Sequence, residues 1–287
     1  MKSDSTYSNF NHHFHTIAGN SVDELVRNGI YHILSEGELI SSRAGEAQQA
    51  YGVNYVLRYP INRLHTTRAG AIKYLAREFI AYFNGSLKAE DGLAKASKFW
   101  MSLTDQNGNI NSNYGYYVFY ESVETYGNQY NWVKHVLMSN KDTRRAIINI
   151  NQSYHKSDTK DFPCTIGIQF YIRNNTLYCE TTSRSTDVIT GLPYDMGFFS
   201  FIHELMWKDL CQSGMTGLEL GTTVMKTTFT QIYNKTLQKA HEVIENRLVD
   251  ESKERMPLID SARDTLSDIL NREQKTAIIK WVHSHAK

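Results

Sequence analysis

Cysteine is scarce in this chain, and the three present, Cys164, Cys179 and Cys211, are odd in number with no CxxC spacing. That argues against a disulfide framework and withholds the ligand pairs of a structural zinc site, so a reducing cytosol is the expected compartment. An excess of one charge is also lacking, since 31 Lys and Arg nearly cancel 30 Asp and Glu. So balanced a field does not gather a polyanion such as DNA or an anionic membrane surface, and any phosphate recognition must be local. No stretch approaches about 18 uninterrupted apolar residues, and the opening Met1-Lys-Ser-Asp-Ser-Thr6 carries no apolar signal-peptide run. The expectation is a soluble, cytoplasmic protein with no nucleic-acid and no membrane partner. No internal repeat or low-complexity linker divides the chain. Its 287 residues, 41% of them hydrophobic, can bury one sizeable core in a single domain.

Periodicity supplies the elements that are present. A polar leader over 1–20 precedes a helix over 21–35, capped by Ser21 and turning Leu25, Ile30, Ile33 and Leu34 inward. A loop is expected over 41–46 and a Tyr- and Val-rich strand over 50–58. From Gly70 to Phe83 the apolar residues Ile72, Leu75, Phe79 and Phe83 recur at spacings of three and four, Gly85 stops the run, and Glu78 sits at the margin of the apolar stripe. Strands are expected over 146–150, 164–173 and 176–184, with Cys164, Ile166, Ile168, Phe170 and Ile172 on one face. Helices follow over 195–211 and 236–248, and an amphipathic tail over 258–281. Strands and helices in this order indicate an α+β fold.

The chemistry concentrates in Asp161-Phe-Pro-Cys164-Thr165 and, about twenty residues on, Arg184-Ser185-Thr-Asp187-Val-Ile-Thr-Gly191-Leu-Pro-Tyr194-Asp195. A lone cysteine opening an apolar strand is ordinarily an inert core residue. A fixed cation such as Arg184 beside it would instead raise its thiolate fraction and make it a nucleophile. Arg144 and Arg145 are either solvated charges or a pair of bidentate phosphate donors. Arg43 lies in a loop of small residues whose N–H groups can approach an anion. Two metal-like patterns carry no role. Asp105-Gln-Asn107-Gly-Asn109-Ile-Asn111 lacks the glycine and the glutamate of a calcium loop, and His12-His13-Phe-His15 lacks companion ligands, so no metal is expected.

Taken together and in order, these motifs resemble the thymidylate synthase superfamily over roughly residues 22–250, leaving 251–287 as a C-terminal helical extension. The resemblance implies a single catalytic domain with a mixed sheet flanked by helices, and a sheet-mediated homodimer. It places the phosphate-loop arginine at Arg43, the catalytic glutamate at Glu78, the active-site tyrosine at Tyr114 in Asn111-Ser-Asn-Tyr-Gly115, and the nucleophile at Cys164. Arg144 and Arg145 become the tandem arginines donated by the partner subunit, and Arg184 and Ser185 further substrate contacts. Asp187, Gly191, Tyr194 and Trp100 fall on the folate side. Gln231-Ile-Tyr233 stands where the family has a sugar-contacting His-x-Tyr, which leaves ribose and deoxyribose both open with a lean to deoxyribose.

The departures from ordinary synthases are the informative part. The family's Gly-Leu-Pro-Phe-Asn reads Gly191-Leu-Pro-Tyr-Asp195, and the residue after the nucleophile, usually histidine, is Thr165. An amide complements the N3–H and O4 of uracil, whereas a carboxyl complements the N4 amino group and N3 of cytosine. Both changes resemble the cytidylate hydroxymethylases. Leu103 replaces one cofactor-facing tryptophan. The implied reaction joins Cys164 to C6 of a cytidine monophosphate, transfers one carbon from 5,10-methylenetetrahydrofolate to C5, and finishes with water. Asp195 holds the base and Glu78 the proton transfers. A C5-methylase ending in hydride transfer, and a catalytically silent nucleotide-binding homologue, are the competing functions.

Overall fold

The computed structural model describes residues 14–42, 44–157, 159–246 and 254–287. Seven strands form one mixed sheet: β1 (His15–Gly19), β2 (Glu38–Ser42), β3 (Gly45–Leu57), β4 (Ile147–Asn149), β5 (Thr165–Arg173), β6 (Thr176–Asp187) and β7 (Glu219–Tyr233). Their spatial order is β1-β3-β7-β6-β5-β4, with β2 paired to β3; β1 with β3 and β6 with β7 run parallel, and the other pairs antiparallel. The α+β expectation and the mixed sheet flanked by helices are both observed.

Eight α-helices accompany the sheet among the described residues: α1 (Val22–Glu36), α2 (Ala71–Asn84), α3 (Tyr114–Phe119), α4 (Gln129–Ser139), α5 (Leu192–Gln212), α6 (Leu237–Glu245), α7 (Ala262–Asn271) and α8 (Ala277–His285). The Ser21 hydroxyl accepts the Glu24 N–H at 3.3 Å, so α1 starts at the expected cap. Gly85 ends α2 at φ 65°, a left-handed conformation that glycine adopts without a Cβ penalty. The alternating pattern of β5, β6 and β7 turns Ile168, Phe170, Leu177, Cys179 and Met225 into the core. Tyr171, Tyr178, Glu180, Val224 and Lys226 occupy the opposite face, where Tyr171 donates to Glu180 at 2.9 Å and stacks on Tyr178.

Several elements differ from the sequence reading. The stretch read as a polar leader to residue 20 ends in β1, because Ile17 pairs into the parallel ladder with β3 and is buried. The expected loop over 41–46 is instead the turn of the β2–β3 hairpin, and β3 begins five residues before the predicted strand. In β5 a register shift between Thr165 and Gly167 leaves Ile166 46% exposed while Thr165 is buried, so Cys164 and Ile166 do not continue the face of Ile168 and Phe170. A bulge of this kind re-aims the side chains beside it. The tail resolves into α7 and α8, which pack on α2 and α5.

α5 joins two apolar clusters. Leu192 and Met196 face α1 and β3, whereas Phe198, Phe199, Phe201, Ile202 and Leu205 face α2 and the helices beyond it. Within this helix Glu204 receives a charged hydrogen bond from Arg63 and, at 2.9 Å, the backbone N–H of Ile259, both side chains being about 1% exposed. The pair therefore fixes the 254–261 approach to α7 against the body of the domain. Breaking a buried ion pair strands its partner charge at a cost of about 3–5 kcal/mol. Glu204→Gln is expected to lower the unfolding free energy by that order in urea titration with an unchanged m-value.

Candidate active site

Cys164 precedes β5 on a segment held from two sides. Arg184 of β6 donates from Nη2 to Phe162 O at 2.6 Å and from Nε to Pro163 O at 3.2 Å, while its backbone N–H donates to Cys164 O at 2.8 Å. The guanidinium lies 5.3 Å from the Phe162 ring. On the other side the Asp161 carboxylate accepts from Asn111 N–H, Ser112 N–H and the Ser112 hydroxyl at 2.7, 2.8 and 2.6 Å. The same segment leads into α3, whose first residue is Tyr114. Tyr114 is buried, packs against Tyr82 and Phe199, and lies beside Thr165. Cys164, Tyr114 and Arg184 thus meet as the sequence reading required.

Glu78 and Asp195 face one another electrostatically from α2 and the first turn of α5. Glu78 is buried rather than marginal on its helix, and desolvation raises its carboxyl to about 8, with the charge of Asp195 adding to the rise and a hydrogen bond from Tyr74 opposing it. The Tyr74 hydroxyl donates to Glu78 Oε1 at 2.6 Å. Asp195 is raised to about 7 by burial alone. Tyr74, which the motifs do not include, joins this cluster through its contacts with Glu78 and Tyr194. The available signal was its position four residues before Glu78, the spacing that places two helix side chains together.

Arg184 acts on the nucleophile in the expected direction against a larger opposing effect. Burial raises the Cys164 thiol to about 11, the nearby Arg184 opposes that rise, and Asp195 and Asp161 reinforce it. Arg184 does favour the thiolate as expected, yet desolvation outweighs it.

The remaining candidates separate into two groups. Ser185 and Gln231 lie on neighbouring strands, where Gln231 Nε2 donates to Ser185 Oγ at 3.0 Å, and Tyr233 follows at the end of β7 with Lys235 5.0 Å from its ring centre. Asp187 closes β6, its Oδ1 accepting from Ile189 and Thr190 N–H at 2.7 Å each and its Oδ2 only a long 3.5 Å contact from Thr236. Gly191 caps α5, since its carbonyl accepts the Asp195 N–H, and Tyr194 packs on Tyr74 at 4.4 Å and accepts from Arg68. Trp100, in a short 3-10 segment over Lys98–Leu103, is half-buried and interacts with Tyr74. Arg144 and Arg145 stand apart. Ala146 O accepts the Phe170 N–H, so these arginines sit some seven strand residues along from Cys164, about 23 Å at 3.3 Å per residue. Both are exposed, with Arg145 over Trp132. Arg43, His12 and His13 lie outside the described residues. Asp105 accepts from Asn107 and Asn109 N–H, which makes its run a turn.

A family model described as thymidylate synthase matches residues 26–274, which runs past the expected domain end at 250. Deoxycytidylate 5-hydroxymethyltransferases of Enterobacteria phages T4, T2 and T6 are each 30% identical to this chain over 143 residues, 48% of this chain and 57% of theirs. The match therefore spans little more than half the length of those relatives.

The ionisation of Glu78 generates a pH signature. Its folded value of about 8 lies above the ordinary 4.5, so the folded state binds the extra proton between those values and loses stability as pH rises through that window. By pH 7 the loss is on the order of 3 kcal/mol. Glu78→Gln is expected to flatten the decline between pH 5 and 8 and to be the more stable protein at pH 7 in denaturant titrations.

Proposed function

The chain belongs to the thymidylate synthase family, whose chemistry is the folate-dependent modification of a pyrimidine nucleotide at C5, and within it we propose 5-hydroxymethylation of a cytidine monophosphate, dCMP ahead of CMP. The observation that carries this reading is Asp195, a carboxyl at the mouth of α5 whose burial holds it about half protonated near neutrality. In that form it donates to N3 of cytosine and accepts from the N4 amino group, and its ionised form would face O4 of uracil acceptor to acceptor. The relatives from phages T4, T2 and T6, which are named for deoxycytidylate 5-hydroxymethylation, agree with that choice of base.

The co-substrate 5,10-methylenetetrahydrofolate supplies the one-carbon unit. Trp100, Tyr194 and the second oxygen of Asp187 fit a pterin: an indole and a phenol present flat faces, and Asp187 Oδ2 retains capacity to accept an N–H. Cys164 Sγ gives up its proton to water and bonds to C6, with Arg184 favouring the thiolate, and takes a proton back from water when it is later expelled. Asp195 passes its proton to N3, so the electron pair displaced from the C5–C6 bond makes C5 nucleophilic. After C5 has taken up one carbon, Glu78 removes the C5 proton through water. Tetrahydrofolate then departs, leaving a methylene on the base. Glu78, whose value near 8 lets it both take and return a proton, directs water onto that methylene. Expulsion of Cys164 from C6 restores the aromatic ring and returns the N3 proton to Asp195. The sum is nucleotide, methylenetetrahydrofolate and water giving the 5-hydroxymethyl nucleotide and tetrahydrofolate.

Phosphate binding is shared across a homodimer in this proposal. Ser185, Arg184 and Arg43 come from the subunit that holds Cys164, and Arg144 and Arg145 from its partner. Their separation from Cys164 within one protomer supports the division of labour. The open sheet face bearing Tyr171, Tyr178, Val224 and Phe229 offers a surface on which two copies can meet.

Tritium release from 5-tritiated dCMP, CMP and dUMP with methylenetetrahydrofolate tests the base and the sugar together. dCMP is expected to react, Cys164→Ala to abolish release, and the folate product to be tetrahydrofolate; reaction of dUMP alone would overturn the reading. Asp195→Asn is expected to shift preference from dCMP to dUMP by at least about 100-fold in kcat/KM, since a buried polar mismatch discriminates on that scale. The wild-type KM for dCMP should rise as pH increases beyond 7, because the bridging proton is lost, and that rise should vanish in the variant.

A further inference from the structure

Asp161 has no part in the reaction as written, yet it is 4% exposed and its carboxylate gathers three donors from a distant segment. Asn111 Nδ2 adds a fourth bond, to Asp161 O at 2.8 Å. The segment so gathered is Asn111-Ser112-Asn113-Tyr114, and each residue reaches a different part of the site. Asn111 and Ser112 bind Asp161. Asn113 Nδ2 donates to Ala81 O at 3.1 Å and Ser86 O at 2.8 Å, at the end of the helix that carries Glu78, and its Oδ1 caps α3 through the Tyr116 N–H. Tyr114 then meets Thr165 beside the nucleophile.

We infer that Asp161 is the positioning residue of this site: its carboxylate ties the nucleophile segment to the Asn111–Tyr114 turn and, as the negative charge three residues before Cys164, opposes formation of the thiolate. The inference rests on the proposed reaction only for its effect on turnover; the tie between the two segments stands on geometry, and the effect on Cys164 on the Asp161 charge three residues away. Three N–H and O–H donors converge on two carboxylate oxygens; an amide keeps the two N–H donors on its oxygen only by reversing the third bond, its NH2 donating to Ser112 Oγ, and it carries no charge. The groups that face Cys164 are Arg184 from β6, which favours its thiolate, and Asp195 from α5 and Asp161 from its own segment, which disfavour it; Tyr114 from α3 completes the surround. Burial raises the Asp161 carboxyl above its usual value, and the Ser112 and Asn111 donors and then Arg184 oppose that rise. One carboxylate therefore contributes both to where the sulfur stands and, after desolvation, Arg184 and Asp195, to how readily it ionises.

The test is the pH profile of Cys164 alkylation by iodoacetamide on the full-length chain, with Cys179 and Cys211 replaced by Ala and Ser, run alongside tritium release from dCMP. In Asp161→Asn the alkylation midpoint is expected to move to lower pH while kcat falls at least tenfold, with KM for dCMP changing less. Ser112→Ala removes one donor and keeps the charge, so its midpoint should stay at the wild-type position and its kcat should fall less. An unmoved midpoint in Asp161→Asn, in a variant that retains the wild-type circular dichroism spectrum, would overturn the inference. A wild-type kcat in that variant would overturn it equally. If the wild-type chain turns over no nucleotide and the midpoint still moves, the proposed reaction fails while the role of Asp161 toward Cys164 holds.

Discussion

The burial of α5 on every side is the constraint on which the rest of the structure depends. A helix that is apolar almost all round cannot lie on a surface, so other elements must close over it. Its Leu192 and Met196 are covered from one direction by α1 and β3, and its Phe198, Phe201 and Leu205 from another by α2 and the helices beyond. The polar groups that ride into the interior with it need partners. Glu204 finds Arg63 and the Ile259 N–H, Asp209 finds Lys134 and the Tyr130 hydroxyl, and His203 finds Thr223 and Leu177 O. Apart from Lys134 and Tyr130, which share α4, these partners come from different stretches of chain, which is how one helix organises a whole domain.

The same burial decides the chemistry. Glu78, Asp195 and Cys164 are all pushed toward their neutral forms chiefly by desolvation, to about 8, about 7 and about 11. Removal from water is the largest contribution to each, and the neighbouring charges modify it. The resting site is therefore short of negative charge, a condition suited to an incoming dianionic phosphate. It also holds both carboxyls near the pH at which a proton is as easily given as taken. Arg184 spends much of its guanidinium on the carbonyls of Phe162 and Pro163, so its structural and electrostatic roles toward Cys164 are inseparable.

Much of this was legible in local pattern. The Ser21 cap, the three-and-four spacing of α2 and the Gly85 stop all appear where periodicity puts them, because each is a property of a few adjacent residues. The motif residues Glu78, Tyr114, Cys164, Arg184 and Asp195 do converge on one region. The β5 bulge was not legible, since one extra residue in a ladder is defined by the partner strand and leaves no mark in the alternation itself. The hairpin of β2 and β3 was missed for a related reason: Gly45 and its small neighbours read as a loop until the pairing of Ser42 with Gly45 closes them into a turn.

The sequence by itself determined the fold class, the family and the kinds of side chain at the reacting positions, because these are carried by residue identity and short spacings. Tertiary structure alone decided which of those side chains carry a proton. It also decided that Arg144 and Arg145 lie far along β5 from Cys164 in the same protomer, and that Asp161 binds a segment some fifty residues earlier in the chain. Those outcomes depend on desolvation and on contacts between distant segments, and both come into existence only when the chain has packed.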